Sequence, residues 1–320
     1  MNITKHGYNG LWLPDYQIAL DASHPDAEIV FISHAHADHM PVNRKCKVFA
    51  SRPTVSLMRI RGFKGRAETP DFEKPFDTGR IRLTLYPAGH ILGSAMILIE
   101  TEEGSLLYTG DYRNPPSPAT EGFSIPETVD YFVTEATFSL PIYKWKPHNE
   151  LAEEIRSFAA ESLDDGYTPV FLGYNLGKAQ EIMHLLAHLD LPVQIHSAGY
   201  KLSQVYKDEG IDLGNYMPYN RKSCEGNILI CPFSALNSGF AGNVKKKRIA
   251  YCSGWAALES RRTQINADKL IPLSDHIDFF ELISLCKKLE PEKVYITHTP
   301  RPHVLQHFLN KEGINSGYLD

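Results

Sequence analysis

Four potential metal ligands fall within six residues, His34-Ala35-His36-Ala37-Asp38-His39, directly after the apolar run Glu28 to Ile32. Imidazoles and a carboxylate crowded at the end of a core strand are costly to desolvate unless a cation compensates them. The alternation sets His34 and His36 on one side of the turning backbone while Asp38 and His39 reach toward a second point, so one loop can serve two metals. Without a metal these histidines would merely cap a turn, a reading their number and position argue against. One loop cannot close two coordination spheres, and His90, in Pro87-Ala88-Gly89-His90, and Asp111, after Gly110, offer the next donors. The small residues before His90 let the backbone approach a metal closely, and the Asp111 carboxylate could bridge two cations where a neutral imidazole could not. Standing alone, each would be an ordinary turn residue; beside the first motif that reading reverses.

Such donors need strand ends to hold them. Short apolar runs repeatedly end in polar residues, as buried strands of an α/β protein do when the loops at their carboxyl ends carry the chemistry. Glu28 to Ile32 runs into His34, Ile81 to Tyr86 leads to His90, Ser105 to Thr109 to Asp111, and Tyr131 to Thr134 to Glu135. Leu270 to Leu273 leads to His276, and Lys293 to Thr297 to His298. These six runs are expected to deliver their polar residues to one edge. The middle reads differently: Pro169 to Leu172, Pro192 to Ile195, Asn227 to Ile230 and Arg248 to Tyr251 alternate with helix-like stretches such as Lys178 to Leu189. That βαβ rhythm predicts a parallel-sheet lobe inserted into the first domain. The expected domains are residues 1–145, 146–262 for the inserted lobe, and 263–320 returning to the first domain. No internal repeat is evident, and Asn114 to Pro126 reads as a surface loop.

The chain of 320 residues, 42% apolar and 22% charged, is long enough for two packed lobes and has no bias toward disorder. Five scattered cysteines without a C-x-x-C pair, no apolar leader and no run of about 18 apolar residues predict a cytoplasmic protein with no membrane segment. A formal charge of −5 argues against a protein that coats nucleic acid. Local charge disagrees with the total: Arg44, Lys45, Lys47, Arg52, Arg59, Arg61, Lys64 and Arg66 follow one another with no acidic residue among them. This tract, like Lys245 to Arg248, is either solvated surface or of use to a phosphodiester substrate.

Some motifs are discounted. Gly173 to Ala179 (GYNLGKA) lacks the spacing and the hydroxyl residue of a Walker loop, although it could present a helix amino terminus to a phosphate. The pairs His184/His188 and His303/His307 have helical spacing but no H-E-x-x-H arrangement, and read as solvated helix faces.

Taken together, H-A-H-A-D-H, P-A-G-H-I-L-G-S-A-M and L-Y-T-G-D-Y resemble the metallo-β-lactamase superfamily, specifically its β-CASP nuclease branch. V-T-E-A-T-F-S-L-P-I-Y-K-W, Y-N-L-G-K-A-Q, C-S-G-W and L-S-D-H-I-D extend the resemblance to bacterial exonucleases associated with ATP-dependent DNA ligases. The resemblance implies an α/β protein: a metallo-β-lactamase αββα sandwich with an inserted β-CASP lobe, a Rossmann-like parallel sheet, the substrate lying between lobes. It implies that His34, His36 and His90 hold one metal, Asp38, His39 and His298 the other, and that Asp111 bridges. Asp21 would orient a ligand histidine, His276 would face the leaving group, and Glu135 would orient His276. Animal DNA-repair members carry an aliphatic residue where this chain has His298, whereas RNA-processing members carry histidine, so the second metal is expected to be well held and RNA remains open as a substrate.

The expected activity is a metal-dependent DNA exonuclease acting in DNA repair. Two divalent cations about 3.5 to 4 Å apart, zinc for so His-rich a site with manganese as the alternative, would activate a hydroxide for in-line attack on phosphorus. His276 would act as the acid for the departing alkoxide, with Glu135 holding its tautomer and favouring its protonated form. The rivals are a β-CASP ribonuclease in RNA processing or decay, a small-molecule thioesterase or lactonase, and a non-catalytic binding subunit. The last predicts missing ligands, and none is missing. Association with a DNA ligase and a helicase is implied by the resemblance alone.

Overall fold

The computed structural model describes residues 1–7, 9–299 and 301–319, residue 237 by its backbone only. The chain is a mixed α/β protein, with three sheets among the described residues. It divides into two compact units: residues 1–116, 120–144 and 276–320 form the first, and 117–119 with 145–275 the second.

The first unit holds two sheets. In the six-stranded one, Thr4–His6, Gly10–Leu13, Ile18–Leu20, Ile29–Phe31, Val48–Phe49 and Ala67–Glu68 lie side by side in chain order. The seven-stranded sheet runs Ser316–Tyr318, Lys293–Thr297, Tyr131–Glu135, Gly104–Tyr108, Ala95–Thr101, Arg82–Pro87, Phe76–Asp77. Its strand Ala95–Thr101 (AMILIET) shows why the layers form. Side chains alternate across a strand, so Ala95, Ile97 and Ile99 enter a core with Leu11, Leu20 and Phe31 of the six-stranded sheet. Met96 and Leu98 enter the opposite core with Leu282, Leu285, Leu305 and Leu309 of two helices. Each such Leu or Ile, fully buried, contributes about 1.5–3 kcal/mol, and a one-residue slip in register would exchange the two faces.

The helix Phe279–Leu289 buries residues 279, 282, 285, 286 and 289, the spacing of one helical face. Asp278 caps it, its carboxylate accepting from the backbone N–H groups of Phe280 (2.8 Å) and Glu281 (2.9 Å). A cap of this kind is worth about 1 kcal/mol and fixes where the helix begins, three residues after His276.

The second unit is built on a six-stranded sheet that is parallel throughout, ordered Tyr216–Pro218, Val193–Ile195, Ile228–Cys231, Thr168–Leu172, Lys247–Cys252, Lys269–Ile271. It runs on past residue 262, because Lys269–Ile271 pairs with Lys247–Cys252. The run before His276 therefore belongs to a different sheet from the five other runs expected to end at polar site residues. Those five do lie in the first unit. Gly104–Tyr108, Tyr131–Glu135 and Lys293–Thr297 are adjacent and parallel, so Asp111, Glu135 and His298 leave the sheet at one edge. Arg82–Pro87 and Gly104–Tyr108 are both antiparallel to the strand between them, which puts His90 at the same edge. Among the described residues no helix is long and apolar enough to cross a membrane.

Candidate metal centre

Asp21 follows the strand Ile18–Leu20 with φ of 50°, a left-handed conformation uncommon outside glycine. Its buried carboxylate accepts from the Ser33 N–H at Oδ1 (2.7 Å). Its Oδ2 accepts from Ser33 Oγ (2.6 Å), His39 Nδ1 (2.8 Å) and Tyr108 Oη (2.8 Å). These bonds set the histidine tautomers. Ser33 has one hydroxyl proton and gives it to Asp21, so Nδ1 of His34, 2.9 Å from Ser33 Oγ, must donate, and the Nε2 lone pair of His34 faces the site. Thr297 repeats the device: its Oγ1 donates to the carbonyl of Thr134 (3.1 Å) and accepts from Nδ1 of His298 (3.0 Å). Fixing a ligand imidazole through its far nitrogen is how an outer shell prepares a metal site.

Nδ1 of His36 lies 3.0 Å from Nε2 of His34 and 3.2 Å from Nε2 of His90. One proton on His36 could serve only one of these contacts. A cation would satisfy all three nitrogens: tetrahedral zinc with bonds of about 2.0–2.1 Å sets its ligand atoms about 3.3 Å apart. Asp111 Oδ2 completes the set, 3.5 Å from Nε2 of His34 and 3.8 Å from Nε2 of His90, and the donors of all four residues lie within 4.8 Å of one another. The residues present fit a divalent metal.

The same Oδ2 is 3.5 Å from Nε2 of His39, which lies 3.8 Å from Asp38 Oδ2. Asp38 is exposed and accepts from Asn9 Nδ2 (3.0 Å), and the rings of His39 and His298 are 5.5 Å apart. This second set is looser: among the described residues, no three of its donors fall within the 4.8 Å that encloses the first. Asp111 is the residue common to both.

Electrostatics matches the donor pattern. Burial, and after it the like charges of His39, His90 and His36, drive His34 well below the ordinary imidazole value, so it stays neutral, as a ligand must. Burial alone would push Asp111 up, but His39, His276, His90 and His298 together hold its carboxyl below the usual carboxylate range. Burial also opposes charge on His39, yet Asp111, Asp21 and Asp38 outweigh it and raise His39 to about 9. In the metal-free protein this imidazolium compensates Asp111.

Glu135 and His276 meet directly. Nδ1 of His276 donates to Glu135 Oε1 (2.7 Å), while Oε2 accepts from the N–H (3.0 Å) and Oγ1 (2.5 Å) of Thr137. Glu135 is buried, and the acceptor oxygens of Glu135 and Asp111 and a ring nitrogen of His276 lie within 4.8 Å of one another.

Several readings of the sequence change. Gly89 has φ of 71°, and a Cβ there would lie 2.5 Å from the carbonyl of Arg113, so its smallness admits a neighbouring backbone rather than a metal. The loop Gly173 to Ala179 has its helix start occupied from within, since the Gly177 N–H donates to Gln180 Oε1 (2.8 Å). Lys178 is buried against Glu181 at 3.3 Å rather than offered to a phosphate. Ser33, Thr297, Tyr108, Asn9 and Thr137 escaped sequence reasoning. For the first two a signal existed: a hydroxyl residue immediately precedes a histidine at the end of a strand in both places.

No protein-family profile matches the chain. A probable DNA ligase of Opitutus terrae is 34% identical over 293 residues, 91% of this chain and 28% of the relative. An RNase J-like protein of Methanocaldococcus jannaschii is 27% identical over half of this chain and 43% of its own length. Endoribonuclease YSH1 of Yarrowia lipolytica is 28% identical over 51% of this chain and 24% of its own length. The matched region thus spans less than half of each of these relatives. A crystal structure of a protein of unknown function from Enterococcus faecalis shares the fold, with a TM-score of 0.62 and 16% identity over 88% of this chain and 78% of that one. By its motifs and its relatives, the chain is a homologue of the β-CASP nucleases of the metallo-β-lactamase superfamily.

Proposed function

We propose that the protein is a metal-dependent DNA exonuclease working in DNA repair in the cytoplasm, built as an αββα sandwich with the second unit as its inserted β-CASP lobe. The observation that carries this reading is the convergence of His34, His36, His90 and Asp111 donors within 4.8 Å, with Oδ2 of Asp111 also 3.5 Å from His39. His34, His36 and His90 would hold one metal, Asp38, His39 and His298 a second, and Asp111 both; zinc suits these donors, with manganese as the alternative. When bound, the divalent cations would supply Lewis-acid stabilisation of charge on phosphoryl oxygens and acidify water in the site.

The chain's own residues do the rest. Asp21 and Ser33 hold the ligand imidazoles in the required tautomers. His276, its Nδ1–H anchored on Glu135, carries a proton on Nε2 for the departing alkoxide, and a positioned acid of this kind is worth about 10²- to 10⁴-fold.

DNA is preferred to RNA because the relative named as a DNA ligase matches 91% of this chain, whereas the two ribonucleases match about half. That name also supports an association with a DNA ligase; the ATP dependence of that ligase and a helicase partner rest on the motif resemblance alone. The ribonuclease names keep RNA as the second reading. Digestion of end-labelled DNA and RNA strands of one sequence by protein of measured metal content tests the proposal. Shortening of DNA from one end, with RNA resistant, is the expected result; metal-loaded protein that cuts neither strand would refute it.

A further inference from the structure

Arg44 and Arg61 each carry a guanidinium nitrogen, Nη1 and Nε respectively, that is shielded from solvent and has no hydrogen-bond partner. Neither side chain enters an ion pair among the described residues. Arg44 stands in the loop that follows His39, and Arg61 ends the helix Arg52–Ile60. The two segments are tied together, for the N–H of Lys64 donates to the carbonyl of Arg44 (2.8 Å). Burial lowers the pKa of Arg61, Asp38 raises it and Arg44 lowers it again, so this guanidinium sits within electrostatic reach of both. Two like charges brought together with shielded, unsatisfied donors are unfavourable on both counts. An oxyanion with several acceptor oxygens relieves both, and the planar guanidinium fork matches phosphate geometry.

We propose that Arg44 and Arg61 form a phosphate-binding subsite, which takes an internal phosphodiester of the nucleic-acid strand flanking the bond that is cut. An internal phosphate is favoured over a strand end because exposed cations, Lys45, Arg59, Lys64 and Arg66, continue on either side in the sequence, with no carboxylate between residues 44 and 66. The subsite rests on reading the chain as a nuclease, yet binding can be measured without turnover.

The test is the affinity of the full-length protein for a fluorescent single-stranded 12-mer, measured in EDTA across a salt series. Arg44→Met/Arg61→Met is expected to weaken binding at least tenfold and to reduce the slope of log affinity against log salt by about 0.7 for each phosphate no longer neutralised. Arg44→Lys/Arg61→Lys, which keeps both charges but not the forks, is expected to retain the slope and lose affinity several-fold. Arg82→Met/Lys288→Met removes as much charge from element ends outside the tract from Arg44 to Arg66 and should weaken binding less than threefold. Removing a 5′ phosphate from the strand should leave the ratio between wild type and Arg44→Met/Arg61→Met unchanged. Equal weakening by the Arg82→Met/Lys288→Met control, or a ratio that collapses without the end phosphate, would overturn the proposal. Failure of the nuclease reading would appear separately, as metal-loaded wild type that binds the strand and does not cut it.

Discussion

Gly110 is pressed against Ser33: a Cβ added to it would lie 2.4 Å from the Cβ of Ser33 and 2.5 Å from its Oγ. Gly110 also has φ of 55°, where an alanine would be strained by roughly 1–2 kcal/mol. Ser33 cannot give way freely, because its hydroxyl bonds Asp21 and His34 at once. Each buried bond broken with its partner stranded costs about 1–3 kcal/mol. Gly110→Ala is therefore expected to lower stability by about 2–4 kcal/mol and to reduce the metal bound per chain, since His34 loses the bond that fixes its tautomer. Urea unfolding and elemental analysis would check both, and a variant with wild-type metal content would count against the role given to Ser33.

That contact marks where the sequence stopped being legible. The donors His34, His36, His90 and Asp111 are evident from residue type and from the apolar runs before them, and the strands Ile29–Phe31, Arg82–Pro87 and Lys293–Thr297 follow those runs closely. The partners that hold the donors are hidden because they are set by tertiary packing. Tyr108 is an ordinary strand residue until it reaches Asp21, which is 87 positions away in the chain. Ala95–Thr101 escaped notice for another reason: it is buried on both faces, so its pattern does not alternate, and, antiparallel to both neighbours, it ends at the edge away from His90 and Asp111. The run before His276 looked like its fellows, and only strand pairing assigns it to the other sheet.

His276 and Glu135 form a pair whose task can be separated from metal binding. If His276 supplies the proton for a departing alkoxide, His276→Ala should slow cleavage of an oligonucleotide about 10²- to 10⁴-fold with bound metal unchanged. An aryl phosphodiester, whose leaving group departs without a proton, should be slowed much less. Glu135→Gln keeps an oxygen that can accept from Nδ1 of His276 and is expected to cost less than the alanine change. Loss of metal from His276→Ala, or equal slowing on both substrates, would reassign this histidine to the metal.

The thiols give a check on the packing that is independent of function. Cys224, Cys231, Cys252 and Cys286 are buried, whereas Cys46 is partly exposed. Burial pushes Cys231 and Cys286 up to about 12 each, so both remain protonated and unreactive, whereas burial also raises the Cys46 thiol but leaves it partly open to reagent. Raising the pH from 7 to 9 should therefore speed disulfide-exchange labelling of Cys46 and leave Cys231 and Cys286 untouched. A chromogenic disulfide should find one fast thiol in the native protein and all five after denaturation; several fast native thiols would contradict the burial of Cys224, Cys231, Cys252 and Cys286.

Metal uptake should expel a proton from His39. Its Nδ1 is committed to Asp21, and in the metal-free protein Asp111, Asp21 and Asp38 overcome burial and raise its pKa to about 9, so near neutrality Nε2 carries a proton where a cation would bind. Binding at pH 7.5 is expected to release about one proton per chain from this residue, and apparent affinity should climb as pH rises toward 9. The stability of the metal-free protein moves the opposite way. A raised imidazole pKa stabilises the fold fully below the unfolded value of about 6.5, and that contribution is lost as pH rises through about 9. Calorimetric titration with zinc in buffers of different ionisation enthalpy reads the proton directly. Asp21→Asn should lessen the release, because one of the carboxylates holding the proton is gone; a binding enthalpy indifferent to buffer would remove His39 from the ligand set.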